Sequence, residues 1–127
     1  METEAASARW AGTWQRAWPA GDVAAIEPLY APHASYRSSA LAEPEPGGVA
    51  AYLARQFAAE QDVRGRFGSR RSQGCRGVVG QLGGGRSAVT LDGVTVLRFE
   101  VDGRVVDHVD YWLSTRGRRE PYPGWAS

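Results

Sequence analysis

Lysine and asparagine are absent from this 127-residue chain, and cysteine, methionine and isoleucine occur once each. The lone Cys75 rules out an internal disulfide. With only His33 and His108 beside it, no spacing resembles a metal-ligand set, so neither a metal nor a cofactor is expected. No apolar run approaches the roughly 20 residues a bilayer-crossing helix needs. The first residues, METEAAS, are acidic where a secretory leader is positive, so a cytoplasmic protein without membrane attachment is expected. All fifteen basic residues are arginine, yet the net charge is only +1. That leaves no overall positive field for nucleic acid, although arginine is dense between Arg64 and Arg76. What is present is globular in balance, 43% hydrophobic and 23% charged, and of a length that encloses one core.

The pattern is helical first and stranded afterwards. Trp10, Trp14 and Trp18 recur every four residues, marking one stripe of a helix that Pro19-Ala20-Gly21 ends. Asp22 is placed to cap a second, short helix, with Val23, Ile26, Leu29 and Tyr30 at helical spacing before Pro32. Residues 34–38 read as a short strand and 39–48 as a loop. Val49, Leu53 and Phe57, with Tyr52, make the buried face of a third helix, with Arg55 and Gln56 off it.

From Val63 the period is that of antiparallel strands. Asp102-Gly103 signals a two-residue type I′ turn. That turn pairs Phe99 with Val106, Leu97 with His108 and Thr95 with Asp110 on one face of a hairpin. The other face receives Val96 with Val109, Val94 with Tyr111 and an Arg98–Asp107 charge pair. Both faces are substantially apolar, so the helices are expected to cover one and a second subunit the other.

This order of elements resembles the SnoaL-like branch of the nuclear transport factor 2 (NTF2)-like superfamily. The residues that carry the likeness are Trp14, Gly21-Asp22, Leu29-Tyr30-Ala31 and Gly48. Above all they include Gly93-Val-Thr-Val-Leu-Arg-Phe99 and Asp102-Gly-Arg-Val-Val-Asp-His-Val-Asp-Tyr-Trp112. The ending, Arg118-Arg119-Glu120-Pro121 to Gly124-Trp125, is similar to that of actinobacterial members. The resemblance spans nearly the whole chain apart from about 68–86. It implies an α+β fold, a cone-shaped roll in which three N-terminal helices pack on a curved antiparallel sheet, as one domain over 1–127. Function does not follow from the fold, which serves isomerases, cyclases, hydrolases, transport factors and binding proteins.

The resemblance also implies an apolar pocket between the concave sheet face and the helices. Asp110 holds a position similar to the last-strand catalytic aspartate of limonene-epoxide hydrolase and SnoaL-type cyclases. Tyr36 resembles the tyrosine that helps hold the attacking water in those hydrolases. Their asparagine two residues on is Ser38 here, and their Arg-x-Asp pair is missing, so epoxide hydrolysis by that triad is not expected.

Strand alternation alone puts Asp110 on one face with Val106, His108 and Trp112. Desolvation is expected to raise the proton affinity of Asp110, and an imidazole titrates near neutrality. Asp110 and His108, assisted by Tyr36, can then move a proton on a bound carbonyl compound. In the plainer alternative His108 is a hydrogen-bonded core histidine and Asp110 pairs with Arg37 or Arg116. Trp14, Tyr30, Leu97, Phe99, Val106 and Trp112 are the expected walls of the ligand site. The reading is a pocket protein for a small hydrophobic molecule, homodimeric through its outer sheet face. The alternatives are an acid–base enzyme using Asp110 and a dimeric interaction module without chemistry.

Residues 68–86 are glycine-rich where the family carries a long central strand. Reading Gln73 to Gly85 one base out of frame permits R-A-A-V-E-W-W-A-S-W-V-E-D, which looks like that strand. Two compensating frameshifts are the expected origin, and the nucleotide sequence of these codons decides the matter. If the written chain folds, the strand must run from Cys75 to Leu82 with weak packing. Gly80 to Ser87 mimics a phosphate-binding loop with Arg86 in the lysine position, but a strand rather than a helix follows, so nucleotide binding is not expected. The tail from Arg116, with Pro121 and Pro123, is too irregular for a helix, and Trp125 is expected to anchor it over the pocket mouth or a neighbouring subunit.

Overall fold

The tryptophan stripe forms helix α1, Thr3–Ala20, in a computed structural model that describes residues 2–59, 64–67, 75–82, 89–117, 119 and 122. Gly21 ends the helix in the left-handed conformation, φ 64°, and Asp22 N–H reaches back to Ala17 O at 3.0 Å. The Asp22 carboxylate then accepts from Ala25 N–H at 3.1 Å, capping α2, Val23–Ile26, which tightens into a 3₁₀ turn at Glu27–Leu29.

Here the structure departs from the sequence reading. Strand β1 is Tyr30–Arg37, so Tyr30 opens the strand instead of closing the helix. Pro32 is tolerated because β1 lies at a sheet edge and its pairing is interrupted between Tyr30 and Ser35. Helix α3, Gly48–Ala59, buries Val49 and Leu53 and half-buries Tyr52 and Phe57.

Strands β2 (Arg64–Phe67), β3 (Cys75–Leu82), β4 (Val89–Phe99) and β5 (Val105–Arg116) complete one sheet in the order β1-β5-β4-β3-β2. The neighbouring pairs from β2 to β5 are antiparallel, but β1 runs parallel to β5, which makes the sheet mixed. No hairpin joins those two strands; α3 and three strands separate them in the chain, so nothing obliges them to run antiparallel.

The β4–β5 ladder pairs Arg98 with Asp107, Leu97 with His108 and Thr95 with Asp110, as the sequence predicts. Its turn is different. Glu100 N–H bonds to Arg104 O at 2.8 Å and Gly103 N–H to Glu100 O at 2.9 Å, so the loop holds Val101, Asp102 and Gly103. Gly103 has φ 85°. This longer turn pairs Phe99 with Val105 instead of Val106, and a bulge beside Phe99 takes up the odd residue. The two departures cancel, so His108 and Asp110 keep their face.

Ile26, Leu29, Leu53, Leu97 and Val105 form the core with the α1 tryptophans, between the helices and the sheet. Polar contacts also tie α1 to β2 and to the β4–β5 turn. Arg9 donates to Gly103 O at 2.9 Å, and Gln15 accepts from Phe67 N–H at 3.1 Å. At the other end of β4, Thr90 Oγ1 donates to Gly117 O and accepts from Arg119 N–H.

Backbone pairing places β3 where the written chain requires a strand. Its side chains, and residues 68–74 and 83–88, lie outside the described residues, and the frame question falls on them. The phosphate-loop mimic overlaps β3, whose antiparallel pairing with β4 does not supply the parallel strand such a loop needs. Trp125 also lies outside the described residues. No described helix is long and apolar enough to cross a membrane.

Candidate active site

Alternation along β5 turns His108, Asp110 and Trp112 toward the helices, and the register sets Thr95 of β4 opposite Asp110. Tyr36 of β1 pairs with His108 from the other side. Tyr30, at the start of β1, reaches the same imidazole from behind. The result is one continuous buried hydrogen-bond network.

An indole N–H can only donate, so Trp10 Nε1 gives its proton to Tyr30 Oη at 3.0 Å. Tyr30 Oη lies 2.7 Å from His108 Nδ1, and His108 Nε2 lies 2.6 Å from Asp110 Oδ1. An ionised carboxylate only accepts, so His108 carries a proton on Nε2 and donates it to Oδ1, while the Tyr30–Nδ1 bond follows the protonation of the ring. The Nε2 proton is assigned from this network. Thr95 Oγ1 donates to Oδ1 at 2.7 Å and Tyr36 Oη to Oδ2 at 3.2 Å. Oδ1 is thus doubly engaged.

Burial by itself would push the Asp110 carboxyl up. The electrostatic attraction and hydrogen bond of His108, with further bonds from Thr95 and Trp112, outweigh it and hold the group below the ordinary carboxylate range. The expectation of a raised proton affinity is therefore corrected: the site is buried but supplies enough donors to keep the anion. In place of the expected arginine partners, the carboxylate meets Thr95, Tyr36 and His108 among the described residues. Tyr30 and Tyr36 are pushed well above the usual phenol range, first by burial, with the Asp110 charge adding to it, so both remain protonated.

Beside this network lies a cavity of about 120 Å³. Trp10, Trp14 and Trp18 of α1 form one wall, with Tyr52 and Gln56 of α3 and Phe67 of β2. Leu91, Thr95, His108, Asp110 and Trp112 form the sheet side, and Tyr36 and Ser38 close the β1 end. Of the residues singled out from sequence, Tyr36, His108, Asp110, Trp14 and Trp112 meet in this cavity.

The other expected wall residues do not line it. Tyr30 and Leu97 belong to the core, Phe99 packs against that core, and Val106 is buried outside the core cluster beside the bulge. Gln56, expected off the buried face, lines the cavity because it sits one turn from Tyr52. Trp10 and Trp18 share the stripe of Trp14, and Leu91 and Thr95 share the parity of Leu97, so sequence carried a signal for these four. Phe67 had none. Trp14 Nε1 is a buried donor without a hydrogen-bond partner among the described residues. No described cluster of His, Cys, Asp and Glu could hold a metal ion.

Residues 11–108 match the SnoaL-like domain family. No curated protein is significantly similar in sequence. Among solved structures, the chain is similar to SalBIII, described as an epoxide hydrolase/cyclase-like enzyme in pyran ring formation in the polyether salinomycin. The TM-score is 0.71 at 17% identity, covering 88% of this chain and 94% of that one. A Catenulispora acidiphila protein of ketosteroid isomerase-like fold, in complex with trimethylamine, gives 0.62 at 19% identity, covering 79% and 82%. RV0760c of Mycobacterium tuberculosis gives 0.66 at 17% identity, covering 88% and 97%.

Proposed function

Because the chain belongs to the SnoaL-like domain family, we propose that its cavity binds a small, mainly apolar molecule, and that Asp110 accepts a proton there from the ligand or from water. The carrying observation is the position of Asp110: its carboxylate lines a mainly apolar cavity, with Oδ1 held by Thr95 and His108 and Oδ2 by Tyr36 at 3.2 Å. In this reading His108 and Thr95 hold the carboxylate by Oδ1, and Tyr36 steadies Oδ2 and the bound ligand. The proton taken by Oδ2 returns to the product, which restores the carboxylate. Fold kinship with an epoxide hydrolase/cyclase-like enzyme and a ketosteroid isomerase-like protein supports a reaction of acid–base type.

One observation favours a second reading, binding without turnover. A carboxylate held below its usual pKa is a weak base, suited to anchoring a donor group of the ligand. A thermal-shift and turnover screen with small ketones, lactones and epoxides separates the two. Base chemistry predicts that Asp110→Asn abolishes turnover while leaving binding within a few-fold. If the variant turns over any substrate at the parental rate, the catalytic reading is wrong.

A further inference from the structure

We propose that the Gln56 amide of α3 is the specificity-determining group of the cavity, donating to the carbonyl oxygen of a small neutral guest. The proposal deepens the reading of this cavity as a ligand site and rests on it.

The first ground is where the donors go. The sheet side spends its side-chain donors on Asp110: Thr95 Oγ1 at 2.7 Å, His108 Nε2 at 2.6 Å and Tyr36 Oη at 3.2 Å, with a further bond from Trp112. On the helix side, Trp10 Nε1 is given to Tyr30 and Trp14 Nε1 is enclosed by protein, out of a guest's reach. Trp18 and Tyr52 have interactions of their own. Next to the carboxylate, a guest therefore finds an acceptor but no unspent donor among the described residues. A carbonyl oxygen brought out of water must find its donor elsewhere in the cavity.

The second ground is Gln56 itself. The wall from α1, α3 and β2 is aromatic, with Trp10, Trp14, Trp18, Tyr52 and Phe67, and Gln56 is its one exception among the described residues. The side chain is half-buried and has no hydrogen-bond partner among them. Its neighbour Arg55 is held by Glu45 at 2.7 Å, so α3 brings an amide to the cavity and keeps the charge outside. A guest that displaces water from this amide must replace the lost bond, which a carbonyl oxygen does and a hydrocarbon does not. The amide's own oxygen is a second acceptor, a role Asp110 already fills. Ser38, the other lining group without a described partner, has one rotatable proton, whereas the amide holds two N–H in a plane.

Size sets the scale of the guest. An enclosed cavity of about 150 Å³ holds benzene, so about 120 Å³ suits a ring of similar or slightly smaller bulk.

The test compares cyclopentanone with methylenecyclopentane, in which a CH₂ group replaces the oxygen at nearly constant shape. Dissociation constants of both are measured by NMR titration of the full chain. Water holds the ketone more strongly than the alkene, so the ratio of the two constants in the wild type is the reference. In Gln56→Met, which keeps length and loses the donor, the ketone-to-alkene ratio is expected to rise about fivefold or more. A change of wall shape alone would move both constants together and leave the ratio within about twofold, as is expected for Ser38→Ala. The carbonyl stretch of cyclopentanone bound to the wild type should also lie below its frequency in cyclohexane, and this decides alone if Gln56→Met does not fold. A ratio unchanged in folded Gln56→Met overturns the proposal, and so does a rise as large or larger in Ser38→Ala. A stretch equal to that in cyclohexane does the same. Binding of the alkene without the ketone overturns it and leaves the small-apolar-ligand reading standing. If neither guest binds, the proposal falls, and the broader reading falls with it only if the lactones and epoxides of the wider screen also fail.

Discussion

Tyr30 lies behind the cavity wall, yet it holds the imidazole in front of it by Nδ1. Its hydroxyl accepts from Trp10 and shares a 2.7 Å hydrogen bond with His108 Nδ1. Tyr30→Phe removes both bonds, leaves a buried indole N–H unsatisfied, and is expected to cost about 1–3 kcal/mol in urea denaturation. Nitrogen NMR of His108 should also show the Nδ1 signal move, because that atom loses its partner.

Asp110 makes a separate prediction in acid. Its folded pKa lies below the unfolded value of about 3.9, so the ionised group contributes stability above that pH, lost as pH falls through the folded value. The urea midpoint should therefore drop below about pH 4, with a shallower acid slope in Asp110→Asn. Strand alternation pointed to Asp110 and His108, and the resemblance to Asp110 and Tyr36. Sequence missed the role of Tyr30 and the direction of the Asp110 shift. Both depend on how α1 and β1 dock on β5, which no local pattern encodes.

At the scale of elements, Gly93 is where β4 leaves no room for a side chain against β5. A Cβ there would sit 2.8 Å from Trp112 Cα and closer still to Tyr111 O, both backbone atoms that cannot swing aside. Gly93→Ala is expected to open the ladder at the site and cost about 3 kcal/mol or more. Gly117 has a left-handed φ of 86° but open space around it, so Gly117→Ala should cost only about 1 kcal/mol. Paired urea titrations test the contrast. Helix α1, the Asp22 cap and the central β4–β5 register were legible because each rests on short-range spacing. The start of β1 and its parallel partner were not. Tyr30 sits at helical spacing from Ile26, and only the distant strand β5 draws it into the sheet.

For the whole molecule, the outer sheet face leaves Val94 38%, Tyr111 50% and Leu113 70% exposed. Arg98 and Asp107 pair beside this strip, so it carries both charge signs and can complement its own copy about a two-fold axis. We infer a homodimer through this face. Sedimentation equilibrium should report a dimer, converted to monomer by Leu113→Arg without loss of ligand binding. A monomeric wild type at tens of micromolar, a concentration at which interfaces of ordinary affinity are filled, would refute it.

The bulge beside Phe99 has a consequence for heredity as much as for shape. Were the ladder to slip by one residue and straighten, β5 would stay paired but present its opposite side, sending the imidazole and carboxylate into solvent and Asp107, Val109 and Tyr111 inward. The identity of the working surface is thus stored as a parity, odd or even, in the few residues of one turn. An insertion or deletion there that leaves the outline of the protein intact could erase its chemistry in a single step.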